Sequence, residues 1–194
     1  VNPLREPPCA ACMRLADASY RHASRKALVF VDTPELRSQL ANLSLADLSH
    51  FVYGDLPLGE LVFPSICWVL RKTNLIDDER TRFLSREYIL SACKVAEEFT
   101  QLLDETDPQA VVLFNGRFYP EASARFIARQ RGIRVITHEV AMRPFTAFFT
   151  EGEATAYPIH IPPDFELTQA QNERLDRYLE ERFKGNFTMA GVRF

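Results

Sequence analysis

From Thr81 to Glu105, apolar side chains at Leu84, Tyr88, Ala92, Val95, Phe99 and Leu102 recur at steps of four, four, three, four and three. That spacing places one continuous apolar stripe on a helix and predicts the most clearly amphipathic element of the chain. "TDP" ends it, and the pattern then shortens to the apolar run "QAVVLF", which predicts a strand. Pro120 to Arg131 returns to helical spacing, Gly132 closes it, and "IRVIT" is a second strand. A strand, a helix and a strand in so few residues predict a right-handed crossover with parallel pairing.

Elsewhere the pattern is more broken. "KALVFVD" is an apolar run bounded by charge, as a buried strand would be, and Thr33 with Pro34 opens a helix over "TPELRSQLANL". Ser44 to Phe51 predicts a short helix, and the helical region after Tyr53 carries Pro57 and Pro64, each expected to start or break a segment. Thr146 to Ile161 predicts loops with short strands. Thr168 caps a last helix with Leu175, Tyr178, Leu179 and Phe183 on one face and Gly185 at its end. The alternation predicts an α/β fold, an open and mostly parallel Rossmann-like sheet flanked by helices. The expectation is a single domain over residues 1–194, opening with an irregular, Pro-rich segment over 1–26 that contains Cys9 and Cys12.

Composition narrows this picture. With 194 residues, 46% hydrophobic and 25% charged, the chain can bury a sizeable core. A net charge of −3 gives no global attraction to nucleic acid or anionic lipid, so an anionic ligand has to be held by a local cluster. No apolar run reaches the roughly 18–20 residues of a membrane span, and no signal segment opens the chain. The expectation is a soluble cytoplasmic protein with reduced thiols.

Ligands of open parallel sheets bind beyond the carboxyl ends of the strands. Asn115, Gly116 and Arg117 leave the first strand of the crossover there, and His138 and Glu139 leave the second. Gly116 lets backbone approach a ligand, Arg117 offers a planar fork for phosphate or carboxylate, and the helix after Pro120 adds a partial positive charge. His138 or Glu139 could act as general base on a hydroxyl, although adjacent residues of an extended chain point to opposite sides. Asp32 ends the "KALVFVD" run and could face the same crevice. The plainer alternative is that Asn-Gly makes a turn and His-Glu is merely solvated. Cys9-x-x-Cys12 lacks a second ligand pair for zinc and does not sit between a strand and a helix as a redox pair would. Cys93 reads as core; Trp68, Phe145, Phe148, Phe149 and Tyr157 read as core or as stacking faces for a sugar. No dinucleotide fingerprint, phosphate loop, nucleophile elbow or HExxH motif is present.

The early CxxC with "CMRL", "FVYGDLPLGELVFPSICWVLRK", "REYILSACKVAEEF", "VVLFNGRFYPEASARFIARQRGI" and the following "THE" together resemble the N-terminal region of bacterial glycosyltransferases and capsule or exopolysaccharide biosynthesis proteins. The resemblance spans most of residues 9–150 and implies a two-Rossmann-domain GT-B enzyme of hexosyltransferase type. In that class the N-terminal domain receives the acceptor and the C-terminal domain binds the nucleotide-sugar donor. It further implies that Asn115, Gly116, Arg117, His138 and Glu139 border the cleft between the domains, with His138 or Glu139 as base, and that no metal or other cofactor is needed. The expected partners are a nucleotide-sugar donor, held by a further domain, and a glycan or lipid-linked acceptor, with no nucleic acid and a location in the cytoplasm or at the inner membrane face. The chain, which starts at Val1, is then expected to be a piece of a longer enzyme and inactive alone. The alternatives are a non-catalytic carbohydrate- or anion-binding module of the same pathway, and a CxxC metal or redox protein.

Overall fold

The computed structural model describes residues 9–29, 31–141 and 145–186, with the backbone of 188–189 and 192–193. In chain order these form α1 (Cys9–Ser19), α2 (Pro34–Leu40), α3 (Leu45–Ser49), α4 (Leu58–Leu70), α5 (Glu79–Thr106) and β1 (Ala110–Phe114). Then follow α6 (Glu121–Gln130), β2 (Arg134–Val140), β3 (Ala147–Thr150), a 3-10 turn (Ala154–Ala156), α7 (Gln169–Phe183), β4 (Thr188–Met189) and β5 (Val192–Arg193). The class is mixed α/β, as the alternation predicts.

Helix starts follow local chemistry. Ser44 and Asp47 form a reciprocal capping box at α3, Thr168 and Gln171 form another at α7, and the Asp78 carboxylate accepts the Thr81 N–H at α5. Pro34 holds the first position of α2, but the Thr33 side chain before it makes no cap bond. Pro64 differs from expectation: α4 runs through it, although a proline there gives up a hydrogen bond and crowds the carbonyl of the preceding turn.

The strands β1 and β2 pair in parallel from Ala110 with Arg134 to Phe114 with His138, joined by α6 as the crossover predicts. The strand β3 adds antiparallel to β2, so among the described residues the sheet has three strands in the order β1-β2-β3 and is mixed, not a wide parallel one. Its Val111 and Val135 face pack on Ala96 and Leu103 of α5 and on Ile127 and Ala128 of α6. The opposite face leaves Val112, Phe114 and Phe149 exposed. A second cluster joins Leu36, Leu40, Leu48, Leu58, Val62 and Ile66 to Ile89, Leu90, Ala92 and Cys93 of α5. One helix therefore contributes to both clusters.

Two expectations at the chain's beginning are corrected. The described part of "KALVFVD" has no strand hydrogen bonds, and Leu28, Val29 and Val31 are exposed; Phe30 lies outside the described residues. Ion pairs hold its ends: Lys26 with Glu105 at 2.8 Å, and Asp32 with Arg37 at 3.0 Å. The segment around the cysteines is not irregular from Cys9 onward, because Cys9 and Cys12 lie on α1; residues 1–8 lie outside the described residues. Neither α1 nor α7 buries a side chain, so the apolar face expected on α7 is present but uncovered.

Candidate functional site

The site begins where β1 ends. The Asn115 N–H donates to the His138 carbonyl at 2.6 Å, and the chain then turns through Asn115 at φ 64° and Gly116 at φ 79°. Asn tolerates this left-handed backbone because its short side chain can bond the turn it makes. Here Asn115 Oδ1 accepts the N–H of Arg117 at 2.8 Å and of Phe118 at 3.2 Å, while Nδ2 donates to Glu139 at 3.2 Å. With 5% of its surface exposed, Asn115 is a turn-former and not a free ligand contact. Gly116 is required twice over: its φ is positive, and a Cβ there would lie 2.5 Å from Thr137 Cγ2. Beyond the turn, Tyr119 N–H donates to Ser65 Oγ of α4 at 2.8 Å, and the Tyr119 and Ser91 hydroxyls share a hydrogen bond at 2.5 Å. The loop is thereby clamped between α4 and α5.

Its one outward-reaching charge is Arg117. Nη1 donates to Glu153 Oε1 at 2.8 Å, and Arg125 of α6 reaches Glu153 Oε2 at 3.4 Å while donating to the Gly116 carbonyl at 2.8 Å. Burial alone would raise the Glu153 pKa, but hydrogen bonds from Arg117, Thr155 and Arg125 outweigh it and hold the carboxyl below its ordinary range. Glu153 is placed by Thr137, which is fully buried: its hydroxyl donates to the Gly152 carbonyl at 3.1 Å and accepts the Ala154 N–H at 3.0 Å. The loop after β1 and helix α6 thus converge on one carboxylate, whose own loop is anchored to β2 through Thr137.

Around this cluster lies a cleft with two lobes, both bordered by Pro64 and Arg117. The first, about 610 Å³, runs between Glu60 and Leu61 of α4 and Arg125, Phe126 and Arg129 of α6, with Gly116 and Glu153 beneath. The second, about 750 Å³, runs along the last turns of α4, between Phe63, Cys67 and Trp68 of that helix, Arg71 and Lys72 just beyond it, and Phe118. Volumes of this order suit a few sugar rings or a nucleotide.

The other expected residues are elsewhere. His138 stacks between Phe114 and Phe149, each ring centroid 5.4 Å away, on the uncovered face of the sheet. Glu139 lies on the other side of β2, occupied by Asn115 Nδ2 and by the Val140 N–H at 2.8 Å. Neither lines either lobe. Asp32 pairs with Arg37, which also holds Glu87 at 2.6 Å, at the start of α2. Cys9 and Cys12 are exposed thiols on α1, and among the described residues no three His, Cys, Asp or Glu side chains converge as a metal site would require. Burial, and secondarily Glu97, pushes the Cys93 thiol up to about 11, which keeps it protonated in the core.

Sequence reasoning missed Glu153, Arg125, Thr137 and Ser65. Glu153 is 36 residues from Arg117, and no local pattern marks that pairing. Compared with family models, with curated proteins and with solved structures, the chain matches none of them.

Proposed function

We propose that the chain is the acceptor-side domain of a glycosyltransferase, and that the two-lobed cleft along α4 receives the acceptor glycan while a further Rossmann-type domain carries the nucleotide-sugar donor. The observation that supports this best is the Arg117–Glu153–Arg125 cluster, a rigid polar knot at the carboxyl end of a parallel strand-helix-strand unit, opening on a cleft with an exposed tryptophan. Cation, carboxylate and aromatic face are the groups that hold polyhydroxy ligands: the first two take hydroxyls, the ring takes the apolar side of a pyranose. The crossover β1-α6-β2 is the building unit of a Rossmann-like domain, and a cytoplasmic setting at the inner membrane face follows from the same reading.

A second reading, a carbohydrate- or anion-binding module with no catalytic base of its own, is favoured by one observation: His138 and Glu139 lie outside the lobes. Under either reading Arg117 contacts the ligand.

Heteronuclear NMR titration of the chain tests both. Acceptor oligosaccharides are expected to shift Gly116, Arg117 and Glu153 resonances, with nucleotide sugars silent and Arg117→Ala weakening the response. Tight nucleotide binding in the cleft would refute the acceptor assignment. The sequence of the full gene product separates the two readings, since only the first requires a donor-binding domain.

A further inference from the structure

The second lobe has a composition that the acceptor reading does not demand. Trp68 is 57% exposed, which is unusual for so large an apolar ring on a folded surface. The Arg71 guanidinium lies 4.3 Å from its ring centroid, and Phe118 tilts against it at 5.6 Å. Such a cation–π contact holds the cation beside the ring, though only weakly at an exposed site. Arg71 and Lys72 form no ion pair among the described residues, whereas Arg117, at the boundary with the first lobe, is already paired with Glu153. No carboxylate lines this lobe. Lys72 does feel Asp78, a carboxylate kept ionised by the Thr81 N–H, but Asp78 stands at the start of α5 and outside this lobe. The carbonyls at the end of α4 are occupied too, since Cys67 O accepts the Lys72 N–H at 3.1 Å and Trp68 O the Arg71 N–H at 3.2 Å. Burial raises the Cys67 thiol, so it brings no negative charge near neutral pH.

Positive charge is thus concentrated beside an aromatic plane, on a chain whose net charge is −3. We propose that the Trp68 lobe selects an acidic sugar, stacking the ring of that sugar on Trp68 and pairing its carboxylate or phosphate with Arg71 and Lys72. This rests on the cleft being an acceptor site and names the class of acceptor it takes. A planar guanidinium matches a carboxylate or phosphate through two parallel hydrogen bonds, and Lys72 adds a point charge.

Trp68 is the sole tryptophan of the chain, so its fluorescence reports occupancy of this lobe alone. The experiment titrates the chain with oligogalacturonate, a hexose phosphate, a neutral maltooligosaccharide, inorganic phosphate and uridine diphosphate. Acidic saccharides are expected to change the emission saturably, far more tightly than the neutral one. The pair of substitutions Arg71→Ala and Lys72→Ala should weaken that binding about tenfold or more, as loss of charge-assisted hydrogen bonds does. Both residues lie outside the two cores, and circular dichroism of the variant checks its fold. The stronger of the two acidic arms tells carboxylate from phosphate. Equal binding of the neutral saccharide, unchanged in the variant, would overturn charge selection and leave the acceptor reading standing. Silence toward every saccharide would overturn both, and a response to uridine diphosphate or inorganic phosphate matching the acidic sugars would reassign the lobe to phosphate.

Discussion

Replacing Thr137 by Val keeps the volume of a fully buried side chain and removes only its hydroxyl. That hydroxyl makes two hydrogen bonds, donating to the Gly152 carbonyl at 3.1 Å and accepting the Ala154 N–H at 3.0 Å. The carbonyl keeps its remaining lone pair, but the N–H belongs to a fully buried residue and loses its acceptor. A buried donor left unmatched costs about 1–3 kcal/mol, and the loss is expected to be about 2 kcal/mol. At a urea m-value of about 2 kcal/mol/M, the unfolding midpoint should fall by about 1 M with m unchanged. Thr137→Ser is the matched control, keeping both bonds and losing one methyl, about 1 kcal/mol. Urea titration by far-UV circular dichroism ranks the three proteins. The Val variant should also shift the Ala154 and Glu153 amide resonances, because the loop that presents Glu153 to Arg117 hangs on this hydroxyl. A Val variant as stable as the parent, or more stable than the Ser variant, would refute the reasoning that a buried threonine hydroxyl positions Glu153.

Gly59→Ala should destabilise by about 1–3 kcal/mol in thermal unfolding, since the new Cβ would fall 2.3 Å from the Leu48 carbonyl oxygen and 2.7 Å from the Phe51 nitrogen, both backbone atoms with nowhere cheap to go. Glu153→Gln should lower stability at neutral pH. Because the folded carboxyl titrates below its unfolded value, the advantage of the parent is present above the unfolded pKa and disappears as pH falls through the folded one, so unfolding curves of parent and variant should converge in acid. Thiol labelling at pH 8 should modify Cys9 and Cys12 at once and Cys93 only after unfolding, given a thiol that is buried and raised to about 11.

Where side-chain period and neighbouring caps agreed, the sequence was informative: α5, the β1-α6-β2 crossover, the short helix α3 and the capped start of α7 all follow from patterns a few residues long. "KALVFVD" shows the limit, because apolar content favours a strand only where another strand supplies partners, and here the segment is fixed through Lys26 and Asp32 instead. Pro64 shows another, since tertiary packing of Val62, Ser65 and Ile66 can outweigh the roughly 3 kcal/mol that the lost bond and ring clash of a proline cost a helix. At the candidate site, the position of Arg117 just beyond the end of β1 was legible from the strand before it. Asn115 was legible only as an ambiguity between ligand and turn, which its Oδ1 settles in favour of the turn. His138 and Glu139 separate because a strand alternates, which the pattern did foresee. The partners of Arg117 were invisible, as contacts between residues far apart in sequence leave no periodic trace.

The helix α5 is 28 residues long, about 42 Å at the usual rise per residue, and it passes from one apolar cluster into the other between Cys93 and Ala96. Neither cluster can melt without stripping side chains from a rod that the other still grips. Denaturation should therefore be a single cooperative event, with the slowest-exchanging amides at the joint, around residues 89–96. In mechanical terms α5 is the keel of the molecule, and the loop that carries Arg117 is tied to it through the Ser91–Tyr119 hydrogen bond.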